Sequence, residues 1–492
     1  MLLKHLQLFS AALTSSCDGG KVLVFPVDGS HWLHMKILVE ALHSRCHQIT
    51  LIRSSTSWYI SEVSPYYTSI QWRSYQDFMT SFLKTSLEIR RKSSLWTFTE
   101  FYSNLFKMVH ENHQIVTKLV SRIFENKTLI KELNETGYDL CLTDPAFPGG
   151  LQLANYLQLP LVYNVRWFFS GEAHLAIAPN PLSYVPALFS HNSDKMDFFQ
   201  RIRNIFYHSI LIYMHYYVAS PCYQPLCDHY FGKDVELISL VQKADLWLVR
   251  VDFTFEFPRP TMPNVVYIGG FQGKPSKSLP SEFEEFVQSS GEHGVIVMTL
   301  GTLLSDLGPE LTEIFASAFA SLPQKVVWRH VGKRPATLGN NTMLVEWLPQ
   351  NDLLGHPKTK VFVTHGVLAI PLIFDQYDNV VHMEARGVAE IVDNILDPEK
   401  PYKQNMLKLS QLHHDQPMKP LDTAVFWIEY VMRHKGAAHL RTEPYKLPWY
   451  AYHCLDVMAI LVVFGLLIIA LVWFSCQCLI TFLLKTKKSK HE

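Results

Sequence analysis

The sequence predicts an α/β protein of two successive doubly wound blocks followed by one membrane-crossing helix. Three observations carry this. Lys21 to Pro26 reads as a buried strand, and it runs through the polar turn Asp28-Gly29-Ser30-His31 into the apolar-periodic stretch Met35 to Leu42. Strand, polar turn and helix form the opening unit of an open parallel sheet. The pattern starts afresh at Gly294 to Leu300, with Gly301-Thr302 as its turn and Pro309 to Leu322 as its helix. Val457 to Leu484, finally, contains no charged residue and exceeds the ~20 apolar positions that a bilayer core needs.

Composition agrees. Of 492 residues, 48% are hydrophobic and 18% charged, enough to bury large cores and too apolar for a disordered chain. Lys+Arg 44 balance Asp+Glu 44, so no global field gathers nucleic acid. Eight cysteines are too sparse for a disulfide scaffold, and the absence of a C-x-x-C pair removes the common zinc readings.

Within the first block, His47 to Ile52 reads as the second strand, and Tyr138 to Pro145 and Pro160 to Tyr163 as later ones. Trp58 to Ile89 and Trp96 to Glu132 are polar-aromatic and mainly helical in pattern. After the proline cluster Pro258-Arg259-Pro260, the segment Gly273 to Pro280 has linker composition. The second block adds strands at Lys325–Arg329, Thr342–Val345 and Lys360–Thr364. The expected organisation is a leader (1–16), a first domain (17–272), a linker (273–281), a second domain (282–445), a span (457–484) and a basic tail (485–492). Such paired α/β domains hold ligands at the carboxyl ends of their strands.

Lys485, Lys487, Lys488 and Lys490 follow the span. The positive-inside rule keeps them cytosolic and puts the bulk of a single-pass, type I chain in a lumen. Lys488 and Lys490, five and three residues from the carboxyl end, resemble a dilysine retrieval signal of the endoplasmic reticulum. Lys4, the apolar Leu6 to Leu13 and the small Thr14-Ser15-Ser16 supply a weak secretory leader. Sequons at Asn126, Asn134 and Asn340 fit a lumenal, glycosylated domain. Cys222 and Cys227 are near enough for a local loop, which the sequence leaves open.

Two residues stand out chemically in the first block. His31 lies in the turn after the first strand, and Asp144 at the end of another. If those strands are neighbours, Asp144 can fix the imidazole in one tautomer and stabilise its charged form, making His31 a general base for a substrate hydroxyl.

Downstream, Trp347-Leu348-Pro349-Gln350 to Gly355-His356-Pro357, Phe362-Val363-Thr364-His365-Gly366 and Pro371 to Asp375-Gln376 resemble the signature of UDP-glycosyltransferases. With Val27-Asp28-Gly29-Ser30-His31-Trp32, Leu142-Thr143-Asp144-Pro145 and Asp415 to Asp422, the chain resembles animal UDP-glucuronosyltransferases from about residue 18 to the tail. The resemblance implies a GT-B fold, with a lipophilic acceptor in the first domain and a UDP-sugar in the second. It implies His31 as base, Asp144 as its partner, and inverting transfer of glucuronic acid to a hydroxyl or carboxyl group. UDP-glucuronate is then a co-substrate, and neither a cofactor nor a metal is required. Membrane lipid and a dimer with itself or another family member are further expected partners. UDP-glucose as donor, or an impaired paralogue acting as a binding partner, are the alternatives.

On that likeness Trp347 offers a flat face to uracil and Gln350 amide bonds to the nucleoside. Gly301 and Thr302 present N–H and hydroxyl groups to the diphosphate. His365 donates to a phosphate oxygen as charge develops on UDP, while Asp375 and Gln376 meet sugar hydroxyls. Arg259 stands where the family carries a basic residue thought to meet the donor carboxylate.

The chain also departs from the family. His365-Gly366 runs at once into Val367 to Pro371, without the glycine turn, the Asn and the Glu-bearing helix expected there. Only Gly366 to Ala369 would separate two parallel strands, whereas a crossover takes about a dozen residues. A second shortening follows Gly387 to Glu390, where Leu396-Asp397-Pro398 comes almost immediately.

Overall fold

The computed structural model describes residues 19–72, 85–86, 89, 96–166, 176–301, 308–364, 368–369, 376–388, 402–442 and 447–488. Residues 1–16, Thr302, His365, Asp375 and Lys490 lie outside them. Met1–Leu440 and Arg441–Glu492 are two compact units.

Among the described residues the first unit contains two parallel sheets. One joins β1 (Lys21–Phe25), β2 (Gln48–Ser54), β3 (Thr68–Trp72), β4 (Leu140–Thr143), β5 (Leu161–Val165), β6 (Leu246–Val249) and β7 (Val265–Tyr267) in the order β3-β2-β1-β4-β5-β6-β7. β5 and β6 are buried at every position, as strands covered on both faces must be. The direction of winding reverses between β1 and β4, which pair with Phe25 opposite Thr143. That reversal opens a crevice at the strands' carboxyl ends.

The second sheet joins β8 (Val295–Thr299), β9 (Lys325–Arg329), β10 (Thr342–Val345), β11 (Thr359–Thr364) and β12 (Leu368–Ala369) in the order β10-β9-β8-β11-β12. Its switch point lies between β8 and β11. Two doubly wound parallel sheets are the layout expected of the GT-B class.

Three features differ from the sequence expectation. Thr68–Trp72 is an edge strand where a mainly helical segment was expected; its polar, half-exposed residues lack the apolar run that marks a strand. The long helical pattern divides into Thr97–Glu125 and Lys127–Thr136, because the Asn126 side chain accepts the Leu129 N–H and caps the second helix. A parallel β11–β12 pair does form without a crossover. Among the described residues it pairs Val363 with Leu368 and Thr364 with Ala369.

The helix Pro420–His434 returns to the first sheet. Its Ala424, Val425, Ile428, Val431 and Met432 join Met35, Leu38, Val39 and Leu42 of the helix Ser30–Ser44 in one core. The ends of this return are tied by Arg45 Nη1 to Glu429 at 3.2 Å, Lys435 Nζ to Asp139 at 2.8 Å, and the Ala437 N–H to Asp245 at 2.8 Å.

In the second unit, Leu455–Lys488 is a single helix. Its stretch Leu455–Ile480, with a mean hydropathy of 3.1 and no buried residue, is long and apolar enough to cross a membrane. The helix begins at Leu455 rather than Val457, with Asp456 in its first turn, where a carboxylate favours the dipole. Cys222 and Cys227 are both free thiols, so the local loop is not formed; Cys46 is disulfide-bonded.

A candidate active site at the switch point

The turn after β1 is fixed by its own residues. Gly29 adopts φ 74°, a left-handed conformation natural only to glycine. The Asp28 carboxylate accepts the N–H groups of Gly29, Trp58 and Tyr59 at 2.7, 2.6 and 3.2 Å. His31 then falls in the first turn of the helix Ser30–Ser44. Opposite it, Asp144 directly follows β4. The helix Gly149–Tyr156 packs tightly behind that strand, since a Cβ on Gly150 would stand 2.1 Å from Thr143 Oγ1.

The pairing of β1 with β4 thus meets the condition on which the sequence reading depended. His31 Nδ1 lies 2.6 Å from Asp144 Oδ2, with His31 9% and Asp144 0% exposed. The other oxygen, Oδ1, accepts the Ala146 N–H at 2.9 Å. A carboxylate on Nδ1 selects the tautomer that donates there, leaving Nε2 with a lone pair. One turn on, His34 Nδ1 faces the Ser30 carbonyl at 2.7 Å. Burial, and then the nearby Arg250, push its pKa down to about 3, so His34 is neutral at physiological pH.

At the second sheet, Gly301 lies in the turn after β8 with φ 79°. Trp347 is 60% exposed, and Gln350 opens the short helix Gln350–Leu354 on the surface. Arg329, which the sequence reading missed, joins these parts. Its guanidinium donates to the carbonyls of Gly301 and Glu346 at 2.5 and 3.0 Å and lies over the Trp347 ring at 5.2 Å. The available signal was its place as the last residue of β9, at the ligand edge.

Gln376 is the first residue of the helix Gln376–Ala385. This helix docks on the first half of the chain. Asp378 accepts the N–H groups of Phe189 and His191 at 2.8 and 3.1 Å, and Arg386 donates to the carbonyls of Thr254 and Glu256 at 2.9 and 2.8 Å. His382 Nε2 lies 3.1 Å from Glu256. Burial disfavours the charged imidazole, but Glu256, Asp378 and their hydrogen bonds outweigh it and raise the His382 pKa. Arg259 lines a small cavity with Glu256, Asp378 and His382 and donates from Nη2 to Asn180 at 3.0 Å. Burial lowers its pKa to about 10, so it is charged.

The sequon residues Asn126, Asn134 and Asn340 are all exposed, and Lys488 ends the final helix. Among the described residues no group of three or more His, Cys, Asp or Glu could hold a metal ion.

Residues 20–490 match the family model described as "UDP-glucoronosyl and UDP-glucosyl transferase". The chain is 39% identical to UDP-glucuronosyltransferase 2A1 of Rattus norvegicus, covering 100% of both chains. It is 40% identical to UDP-glucuronosyltransferase 2B17 of Homo sapiens, over 99% of this chain and 98% of the relative. It is 42% identical to UDP-glucuronosyltransferase 2B1 of Rattus norvegicus, over 90% of each. The 2A1 alignment runs over 534 positions against 492 residues here, so it contains positions without a counterpart in this chain. The chain belongs to the UDP-glucuronosyl and UDP-glucosyl transferase family.

Proposed function

We propose that this protein transfers glucuronic acid from UDP-glucuronate to a hydroxyl or carboxyl group of small lipophilic acceptors. The observation that carries the reading is the buried His31–Asp144 pair at the switch point of a family member's first sheet. His31 Nε2 takes the acceptor proton while the acceptor oxygen forms a bond to the anomeric carbon. The bond from that carbon to UDP breaks, UDP leaves with the electron pair, and configuration inverts. Asp144 stabilises the imidazolium through Nδ1. On the donor side Trp347, Gln350, Gly301, Thr302, His365, Asp375 and Gln376 hold the nucleotide and sugar.

The few residues that the sequence leaves between Thr364 of β11 and Leu368 of β12, too short for a crossover, set the expected strength of donor binding. A cradle lacking its glycine turn leaves phosphate contacts unmade, at about 1–3 kcal/mol for each buried one, so UDP-glucuronate binds weakly. Microsomes containing the full chain, given labelled UDP-glucuronate and a phenol, should form a labelled phenol conjugate that His31→Ala abolishes. Equal labelling with His31→Ala would overturn the reading.

The same proposal places the protein in the endoplasmic reticulum membrane as a type I chain, glycosylated at exposed sequons. Protease added to intact microsomes should remove only the tail after the span, and loss of the main domain without detergent would reverse the orientation. Changing Lys488 and Lys490 to Ser should let the protein move to later compartments if they form a retrieval signal.

A further inference from the structure

The uncharged run of residues 457–484 lies wholly within the helix Leu455–Lys488. At roughly 1.5 Å per residue it is about 42 Å long. To bury it in a core of about 27–30 Å, tilt alone would have to reach about 45–50°, beyond the roughly 40° that such helices attain. Part of the run therefore lies outside the hydrocarbon. Its first end is fixed by Asp456 in the opening turn and by the exposed Tyr450 and Tyr452 just before it. A carboxylate stays out of hydrocarbon and aromatic rings with a polar tip favour its boundary, so the core begins at Val457.

Residues 457–474 carry no hydroxyl, amide or charged side chain and measure about 27 Å at the same rise per residue, a full crossing in themselves. Trp473 closes that stretch, as a ring at the opposite boundary does. Ser475-Cys476-Gln477-Cys478 is the first polar turn of the run, and it falls at the headgroups of the far leaflet. Cys476 and Cys478 are free, exposed thiols. Two positions apart on a helix they point to nearly opposite sides, so they cannot bridge each other and each meets the boundary separately. Beyond them Leu479, Ile480, Phe482, Leu483 and Leu484 are apolar again, past the end of the core and ahead of the lysines.

We propose that Cys476 and Cys478 are S-acylation sites, modified from the cytosolic face by a long-chain acyl-coenzyme A. The inference rests on the type I orientation proposed above. An acyl-coenzyme A is an amphiphile, with its chain in the leaflet, its charged nucleotide in water and its thioester at the boundary between them. A thiol held at headgroup depth is level with that thioester. The cysteine sulfur gives up its proton and attacks the thioester carbonyl. A new carbon–sulfur bond forms, the bond to coenzyme A breaks, and coenzyme A leaves with the electron pair and takes up a proton. One thioester replaces another, with no oxidant or reductant. A chain that already spans the membrane needs no further anchor; the acyl groups instead fix residues 475–478 at the boundary and cover the apolar residues beyond. Cys454 is the internal contrast. It is exposed as well, but it precedes Asp456 at the lumenal end, where charged acyl-coenzyme A does not cross.

Microsomes containing the full chain would be given alkyne-tagged palmitoyl-coenzyme A, and thioester-linked label, released by neutral hydroxylamine, counted by mass tagging. Wild type should carry up to two chains, Cys476→Ser and Cys478→Ser one each, and the double variant none, while Cys454→Ser should match wild type. Equal resistance to carbonate extraction checks that every form is inserted. Peptide mapping of labelled wild type, which needs no variant, should place the label on Cys476 or Cys478. Protease added to the same intact microsomes reads the orientation independently. A protease-sensitive tail on wild type that takes no label, or label that survives in the double variant, would overturn the proposal and leave the orientation standing. Label on Cys454 together with a protected tail would reverse the orientation and overturn the proposal with it.

Discussion

Asp144→Asn changes one oxygen to an NH2 group, and the structure dictates how the site must respond. Two groups address the carboxylate: the Ala146 N–H at 2.9 Å and His31 Nδ1 at 2.6 Å. An amide has only one acceptor oxygen. The backbone N–H cannot change its role, so that oxygen stays with Ala146 and the NH2 group points at Nδ1. His31 must then receive a hydrogen bond at Nδ1, its proton moves to Nε2, and the base faces the acceptor with no lone pair. The imidazolium formed during transfer also loses its counter-charge. Losing a general base costs about 10²–10⁴ in rate, and reversal of a paired tautomer falls near the upper end, about 10⁴ in the serine-protease example. The assay is the initial rate of conjugate formation in microsomes matched for protein amount, with UDP affinity as a control that should not move. Two comparisons sharpen it. Adding Asp144→Asn to His31→Ala should cost nothing further, since the pair acts as one unit. A carboxylic acid acceptor, already ionised at neutral pH, should lose far less than a phenol. Asp144→Asn with near wild-type phenol turnover, or an equal loss for both acceptors, would refute the tautomer argument.

Trp347→Ala should weaken UDP binding by about 1–3 kcal/mol, the usual worth of a base on an aromatic face, with little effect on thermal stability because the ring is exposed; equilibrium binding checks this. His382→Gln should flatten the fall in unfolding temperature above neutral pH. The folded pKa of His382 is raised above its ordinary 6.5, so its contribution is full below that value and is lost as pH rises through the folded one; an unchanged slope would remove Glu256 and Asp378 as its partners. Inserting a crossover segment after Gly366, together with the segment lacking after Glu390, should raise UDP-glucuronate affinity, and unaltered affinity would show that the short β11–β12 link is sufficient.

Local chemistry made much of the molecule legible. The Val- and Leu-rich strands, the Asp28-Gly29 turn and the uncharged run from Val457 announce themselves because each answers a nearby constraint. His31 and Asp144 were identifiable as candidates, but their pairing depends on β1 lying beside β4, across more than a hundred residues of chain. Thr68–Trp72 escaped detection because an edge strand needs few apolar residues. Arg329 was overlooked for a different reason. A single arginine after a strand looks like any solvated end until the fold shows what surrounds it. The amphipathic Pro420–His434 is readable as a helix, yet its apolar stripe does not say which sheet it will cover.

That last helix has a consequence for how the protein is made. The helix Ser30–Ser44 leaves Met35, Leu38, Val39 and Leu42 waiting for Ala424, Val425, Ile428 and Val431, so in sequence the second sheet is inserted between two parts of the first sheet's core. At about 5–20 residues per second of synthesis, the emerging first half stands open for roughly 10–30 s before its closing helix exists. During that interval a greasy helix face is available to chaperones and to other nascent chains. Cutting the gene within Gly273–Pro280 would therefore yield no self-sufficient first half, because its final structural piece is encoded beyond the second sheet.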